Sequence, residues 1–197
     1  MNRRIYLVRH GEIDCGEEKH YIGITDLPLN DKGRAQADRL KAYFSDIKID
    51  KAYTSPLLRC VQTSEIILEG KTIEAIQVDE LQEINLGKWE GKSFDYIKDR
   101  FPDQYKKRGM NIDCFIPPGG ESFKQLQERV MPVFDEIIRS SDGNILIVAH
   151  AGVNRVIISK LMSFPLKDIM SLPQPYGCVN ILFMDKTRQN WNYDTVL

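Results

Sequence analysis

Two short apolar runs, each closed by a histidine and followed closely by a glycine, constrain the fold of this chain more than any other feature. The first, Ile5-Tyr6-Leu7-Val8, passes directly into Arg9-His10-Gly11. The second, Ile145-Leu146-Ile147-Val148-Ala149, ends in His150-Ala151-Gly152. Uninterrupted apolar runs of this length read as strands buried inside a sheet. In open α/β sheets, ligands bind outside the C-terminal ends of such strands. The 197-residue chain has only three histidines, and two of them occupy these two ends.

Between the runs, helical and strand patterns alternate. Asn30-Asp31 is a cap for a helix reaching residue 44, with Ala37, Leu40, Tyr43 and Phe44 on one face. Residues 51–54 read as a strand. Ser55-Pro56 then reads as a helix start, Ser as N-cap and Pro at the first position. That helix reaches residue 68, with Leu57, Val61, Ser64 and Leu68 on one face, and 73–78 read as a further strand. Gly120-Glu121-Ser122 opens a long amphipathic helix with Phe123, Leu126, Val130, Val133, Phe134 and Ile137 as its apolar stripe. Pro132 predicts a kink or break within it. After the strand at 145–149 comes a helix over 153–162. Residues 179–184 and 191–196 flank a polar turn around Lys186-Thr187-Arg188 and read as a hairpin or two edge strands. Residues 100–119, with Pro102, Gly109, Pro117, Pro118 and Gly119, read as loop-rich, so a substrate-facing cap is expected near 85–120. This pattern predicts an α/β fold, a three-layer α/β/α sandwich with a mostly parallel central sheet, in a single domain over 1–197.

Charge and cysteine usage exclude several classes of function. The net charge is −1, with no long block of one sign, so neither nucleic acid nor an anionic membrane is an expected partner. Met1-Asn2-Arg3-Arg4 leads straight into a strand without the apolar region of a signal peptide. No apolar stretch is long enough to span a bilayer, and a cytoplasmic location is expected. Cys15, Cys60, Cys114 and Cys178 form no Cys-x-x-Cys pair. Free thiols and no metal site are therefore expected. His20, in the polar stretch Glu17-Glu18-Lys19-His20, reads as a solvated loop residue.

The strand ends carry the chemistry. Arg9 and His10 would face opposite sides of a regular strand. Gly11 lets the backbone turn and bring both to one pocket. A neutral imidazole is a good nucleophile toward phosphorus, and a neighbouring arginine keeps it neutral by like-charge repulsion. A carbonyl accepting from one ring N–H fixes the tautomer. Arg59 falls in the first turn of the second helix, where its planar fork and free backbone N–H groups suit a phosphate. Taken singly, His10 reads as the end of a strand and Arg59 as a solvated charge.

Taken together, Arg9-His10-Gly11, Ser55-Pro56-Leu57-x-Arg59, a central glutamate and His150 resemble the histidine phosphatase superfamily and its phosphoglycerate-mutase-like fold. Asp26-x-Pro28-Leu29-x-x-x-Gly33-x-x-Gln36-Ala37 and Leu81-Gln82-Glu83-Ile84-Asn85-Leu86-Gly87-Lys88-Trp89-Glu90-Gly91 are similar to that family too. The resemblance implies a metal-independent phosphatase without a cofactor, acting on a small-molecule phosphomonoester; a homodimer is left open. In it, His10 attacks the phosphoryl group and becomes phosphohistidine. Arg9, Arg59 and His150 hold the phosphoryl oxygens, with Gly11 and Ala151 beside them. Glu83 protonates the leaving alkoxide and then deprotonates the attacking water. Glu90 competes for that role, but Glu83 occupies the family's Leu-x-Glu position. Ile13 and Gly16 depart from the family, which often has Thr or Ser at the first position and Asn at the second.

The Glu-x-x-x-Gly-x-Trp-Glu-Gly form and Pro118-Gly119-Gly120-Glu121-Ser122 are similar to the phosphatase branch. The late segment Gln174-Pro175-Tyr176-Gly177-Cys178-Val179-Asn180 is similar to the α-ribazole phosphatases of cobalamin assembly. Those enzymes remove the 5′-phosphate of α-ribazole 5′-phosphate or of adenosylcobalamin 5′-phosphate. A broad-specificity or sugar-phosphate phosphatase is the alternative. A phosphoglycerate mutase fits less well. A non-catalytic phosphate-binding relative would be expected to lack His10, Arg59, Glu83 or His150. Tyr21, Trp89, Phe115, Phe123 and Tyr176 are candidates for pocket wall or core.

Overall fold

The structure, a computed structural model, describes residues 3–16, 18–185 and 190–196. The expected turn around Lys186-Thr187-Arg188 lies outside the described residues, as do Met1, Asn2 and Glu17. Six strands, β1 (Ile5–Arg9), β2 (Lys51–Thr54), β3 (Ala75–Gln77), β4 (Ile145–Ala149), β5 (Val179–Asp185) and β6 (Asn190–Val196), form one sheet. Their order is β3-β2-β4-β1-β5-β6. The first four run parallel, and β5 and β6 are antiparallel additions at one edge. The hairpin expected at the C-terminal end is this β5–β6 pair. β3 is shorter than the strand expected over 73–78.

The apolar runs are continuous because both sheet faces are covered. Ile5, Leu7, Ile145, Ile147 and Ala149 pack on one face against α5 (Phe123–Arg139) and α6 (Ala151–Leu161) through Leu126, Val130, Phe134, Val153 and Val156. Tyr6, Val8, Leu146 and Val148 pack on the other face against α1 (Asp31–Tyr43) and α2 (Leu58–Leu68) through Leu40, Phe44, Cys60 and Ile67. Alternate residues of one strand thus serve two cores. Among the described residues, no helix is long and apolar enough to cross a membrane. All four cysteines are free.

Four local expectations need correction. The helix after β2 begins at Leu58, not at Pro56. Its first N–H is capped from outside, by Asp26 Oδ1 at 2.7 Å from the Leu58 nitrogen. α5 runs unbroken through Pro132. That proline is exposed, so the Glu128 carbonyl deprived of its usual N–H lies toward water. The segment read as loop-rich holds two helices, α3 (Phe94–Arg100) and α4 (Pro102–Met110), and Pro102 starts the second where its missing N–H costs nothing. α6 also starts earlier than expected, directly off β4 at Ala151.

The loop joining β1 to α1 lies against the first turn of α1. A Cβ on Gly33 would sit 2.1 Å from the Glu12 carbonyl oxygen, and one on Gly11 2.4 Å from the Gly33 oxygen. The Glu12 N–H donates to Gln36 Oε1 at 2.7 Å, and Asn30 Nδ2 donates to the Glu12 carboxylate at 3.0 Å. The Asp26-to-Ala37 motif therefore does structural work: it caps α2 and seats the chain that leaves β1.

Candidate active site

β1, β4 and β2 are adjacent and in parallel register, with Arg9 opposite Ala149 and Thr54 opposite Val148. The three strands end at one level, so His10, His150 and Ser55 emerge side by side. The His10 N–H donates to the Ala149 carbonyl and the Ser55 N–H to the Val148 carbonyl, each at 3.0 Å. The two imidazole centroids lie 5.1 Å apart, and both rings are buried.

His10 Nδ1 is 2.7 Å from the Gly11 carbonyl oxygen. A carbonyl only accepts, so Nδ1 carries the hydrogen and Nε2 keeps its lone pair. Burial, then the charges of Arg59 and Arg9, hold the His10 pKa well below the usual histidine value. The Gly11 N–H is engaged by Thr63 Oγ1 at 3.2 Å, so the visible service of Gly11 is to His10.

Arg59 is 1 % exposed, yet among the described residues none of its partners is a carboxylate. Its Nε donates to His150 Nδ1 at 3.3 Å, Nη1 to the Thr25 carbonyl at 2.7 Å and Nη2 to the Gly23 carbonyl at 2.6 Å. A guanidinium has five N–H donors, which leaves one hydrogen on each Nη. Because Arg59 donates to Nδ1, His150 carries its hydrogen on Nε2 and donates to Ser55 Oγ at 2.8 Å. Burial, then Arg59, His10 and Arg9, lower the His150 pKa strongly.

Glu90 proves to be a brace for Arg59's loop. Its carboxylate accepts from the N–H groups of Gly23, Ile24, Thr25 and Leu86 and from the Thr25 hydroxyl. These bonds order the same loop whose carbonyls hold Arg59, and they occupy the carboxylate that competed with Glu83.

Glu83 is buried where α6 begins. Oε1 accepts from the Ile84 N–H at 2.9 Å, and Oε2 from the Gly152 N–H at 3.0 Å. Arg129 of α5 fixes the segment that carries it. Its guanidinium pairs with Glu121 at 2.6 Å and donates to the carbonyls of Glu80, Gln82 and Glu83. Ala151 occupies the first position of α6, where backbone N–H groups lack intrahelical partners and the helix end is positive. Arg9 closes the site, its guanidinium stacked on Tyr176 at 3.8 Å from the ring centroid.

Several contributors escaped the sequence reading: Ser55 as partner of His150, Gly152 as donor to Glu83, and Gln174 as partner of Arg9. Gly152 alone left a signal, a glycine in the first turn of a helix where its low propensity needs a reason. Of the aromatic candidates, Tyr21, Trp89 and Phe123 are buried in the core, while Tyr176 faces His10 at 5.5 Å between centroids. Ile13 is buried and bridges to Leu29, and Gly16 adopts a φ of 80°.

The arrangement offers a neutral imidazole lone pair, two guanidinium groups that have no carboxylate partner among the described residues, and a carboxyl group fixed at a helix start. Residues 5–194 match the histidine phosphatase superfamily (branch 1), and the chain belongs to that family. Adenosylcobalamin/alpha-ribazole phosphatase of Salmonella typhimurium is 29% identical over 89% of this chain and 87% of its own length. Phosphoserine phosphatase 1 of Hydrogenobacter thermophilus is 27% identical over 94% of this chain and 88% of its own. The crystal structure of the alpha-ribazole phosphatase from Shigella flexneri superposes with a TM-score of 0.88 at 25% identity, covering 98% of this chain and 95% of that one.

A Cβ on Gly152 would lie 2.3 Å from Glu83 Oε1, the movable end of a side chain. Gly152→Ala should therefore displace the carboxyl group while leaving the fold nearly as stable. The expected loss is about a hundredfold in kcat on an alkyl phosphate, the lower range for general-acid catalysis, with a nearly unchanged urea midpoint. Full activity would mean that Glu83 does not act from this position.

The two imidazoles are buried in their neutral forms. Below their ordinary pKa of about 6.5, the unfolded chain takes up protons that the folded chain does not. Stability must therefore fall as pH falls. Urea unfolding should lose up to about 1.4 kcal/mol per pH unit for each histidine below pH ~6.5. A flat curve through that window would show that the rings titrate normally in the fold.

Proposed function

We propose that this protein hydrolyses phosphomonoesters through a phosphohistidine formed on His10. The observation that carries this reading is the tautomer of His10, with Nδ1–H on the Gly11 carbonyl and the Nε2 lone pair free beside two arginines. Nε2 attacks phosphorus and the bond to the ester oxygen breaks. Glu83 gives that oxygen its proton, and the alcohol departs. Glu83 then removes a proton from water, which attacks the phosphohistidine, releases orthophosphate and restores His10. Arg9, Arg59 and the N-terminus of α6 take up the negative charge that develops on the phosphoryl oxygens. In this reading no metal is required, and turnover survives a chelator.

The substrate we infer is α-ribazole 5′-phosphate or adenosylcobalamin 5′-phosphate. Support comes from the Salmonella and Shigella relatives and from the likeness of residues 174–180 to that branch. The Hydrogenobacter phosphoserine phosphatase supports a second reading, a phosphatase for smaller or more varied monoesters.

Two measurements test these statements. Glu83→Gln should slow an alkyl phosphate far more than p-nitrophenyl phosphate, whose leaving group needs little protonation; equal losses on both would rule Glu83 out as the acid. For the substrate, kcat/KM for α-ribazole 5′-phosphate is compared with phosphoserine, sugar phosphates and 3-phosphoglycerate. A preference of a hundredfold, about 2.7 kcal/mol of transition-state discrimination, is expected, and a flat profile would move the assignment to a general phosphomonoesterase.

A further inference from the structure

Arg9 is held by a segment to which the reaction just described gives no part. Residues 172–178 lead from a 3-10 turn (Leu166–Ser171) into β5 and run as a strap against Arg9 and His10. The strap is anchored from several sides. Arg155 Nε donates to the Leu172 carbonyl at 2.9 Å, and Asn154 Nδ2 to Gln174 Oε1 at 3.0 Å. The Gly177 N–H donates to the His10 carbonyl at 3.1 Å, and the Arg9 N–H to the Cys178 carbonyl at 3.0 Å.

Beneath it lies a buried carboxamide network. Gln174 Nε2 donates to Asn180 Oδ1 at 3.0 Å, and Asn180 Nδ2 donates back to Gln174 Oε1 at 3.1 Å. Asn180 Nδ2 also reaches the Leu7 carbonyl in β1 at 3.1 Å, and Thr195 of β6 donates to Asn180 Oδ1 at 3.1 Å. Asn154, Gln174 and Asn180 are all buried. Gln174 and Asn180 satisfy each other, while Asn154 joins through its Nδ2 alone, its buried Oδ1 having no partner among the described residues. A reciprocal buried amide pair of this kind has one good geometry and resists alternatives.

That geometry converges on one guanidinium. The Gln174 backbone carbonyl accepts from Arg9 Nη1 at the edge of the group. The Tyr176 ring covers its face at 3.8 Å. Arg9 Nε is buried and, among the described residues, has no hydrogen-bond partner. Edge and face together fix the guanidinium plane, whereas a carboxylate in either place would neutralise its charge.

We propose that the strap is a positioning device for Arg9, in which Tyr176 and Gln174 set the plane of the guanidinium and Asn154 and Asn180 hold the strap in place. It rests on the reading of His10 as the phosphate acceptor. Tyr176, Gln174, Asn154 and Asn180 are positioning residues that act through Arg9.

A double-mutant cycle on kcat/KM for p-nitrophenyl phosphate tests this, with wild type, Tyr176→Leu, Arg9→Lys and the double variant. In the Arg9 protein, Tyr176→Leu is expected to cost about tenfold, and Tyr176→Phe, which keeps the ring, to stay within about threefold of wild type. In the Arg9→Lys protein, which has no planar fork to align, Tyr176→Leu should change kcat/KM by less than about twofold. Equal factors in both backgrounds, or a Phe variant as impaired as the Leu variant, would overturn the proposal. If Tyr176→Leu does not fold, Asn180→Ser in the same two backgrounds gives the same decision by the same criterion. Failure of the underlying reading has a separate signature, a His10→Ala protein that still turns over.

Discussion

The parallel register of β4 with β1 on one side and β2 on the other decides where everything else in the site can stand. Arg9 opposite Ala149 and Thr54 opposite Val148 bring three strand ends to one level. A slip of one residue would turn every side chain of the strand to the opposite face. It would also separate the two imidazoles. That register is specified by burial on both faces, since Ile5 and Leu7 belong to one core and Tyr6 and Val8 to the other. The site is thus a by-product of core packing, and its rigidity is that of the central sheet.

On that frame the chain places two guanidinium groups, Arg59 buried and Arg9 partly buried, and among the described residues neither has a carboxylate partner. Burying an unpaired charge is costly. Arg59 meets the cost with the Gly23 and Thr25 carbonyls and His150, and Arg9 with the Gln174 carbonyl and the Tyr176 ring. Carbonyl dipoles and an aromatic face stabilise a cation without cancelling its charge. Burial, and after it the same positive field, lower the pKa of both histidines, which favours the lone pair on His10 Nε2. One electrostatic arrangement therefore serves the nucleophile and the binding of an anion.

The parts of this arrangement that could be read in the sequence are those that depend on neighbours in the chain. Polar residues closing apolar runs marked the ends of β1 and β4, and period and capping marked α1 and α5. What escaped depends on distant residues. Ser55-Pro56 is a sound local helix-start signal, but Asp26 supplies the cap from another loop, so α2 begins later and Ser55 turns to His150. Gly152 is required because Glu83, far away in the chain, fills the space a side chain would occupy. Glu83 and Glu90 were hard to separate on motif alone. Their hydrogen bonds separate them, since Glu90 is surrounded by the donors of a loop and Glu83 is held at the start of a helix.

The two arginines are held by the same principle through different chemistry. Arg59 takes its carbonyls from a loop ordered by one carboxylate, Glu90. Arg9 takes its carbonyl from a strap ordered by neutral amides, Asn154, Gln174 and Asn180. The difference follows from their surroundings. Glu90 reaches its loop at a partly exposed position and spreads its charge over backbone donors, so it does not quench Arg59. The strap's network is fully buried beside Arg9, where a carboxylate would pair with the guanidinium and remove it from service. A neutral carboxamide can order the strap there and leave the charge of Arg9 intact.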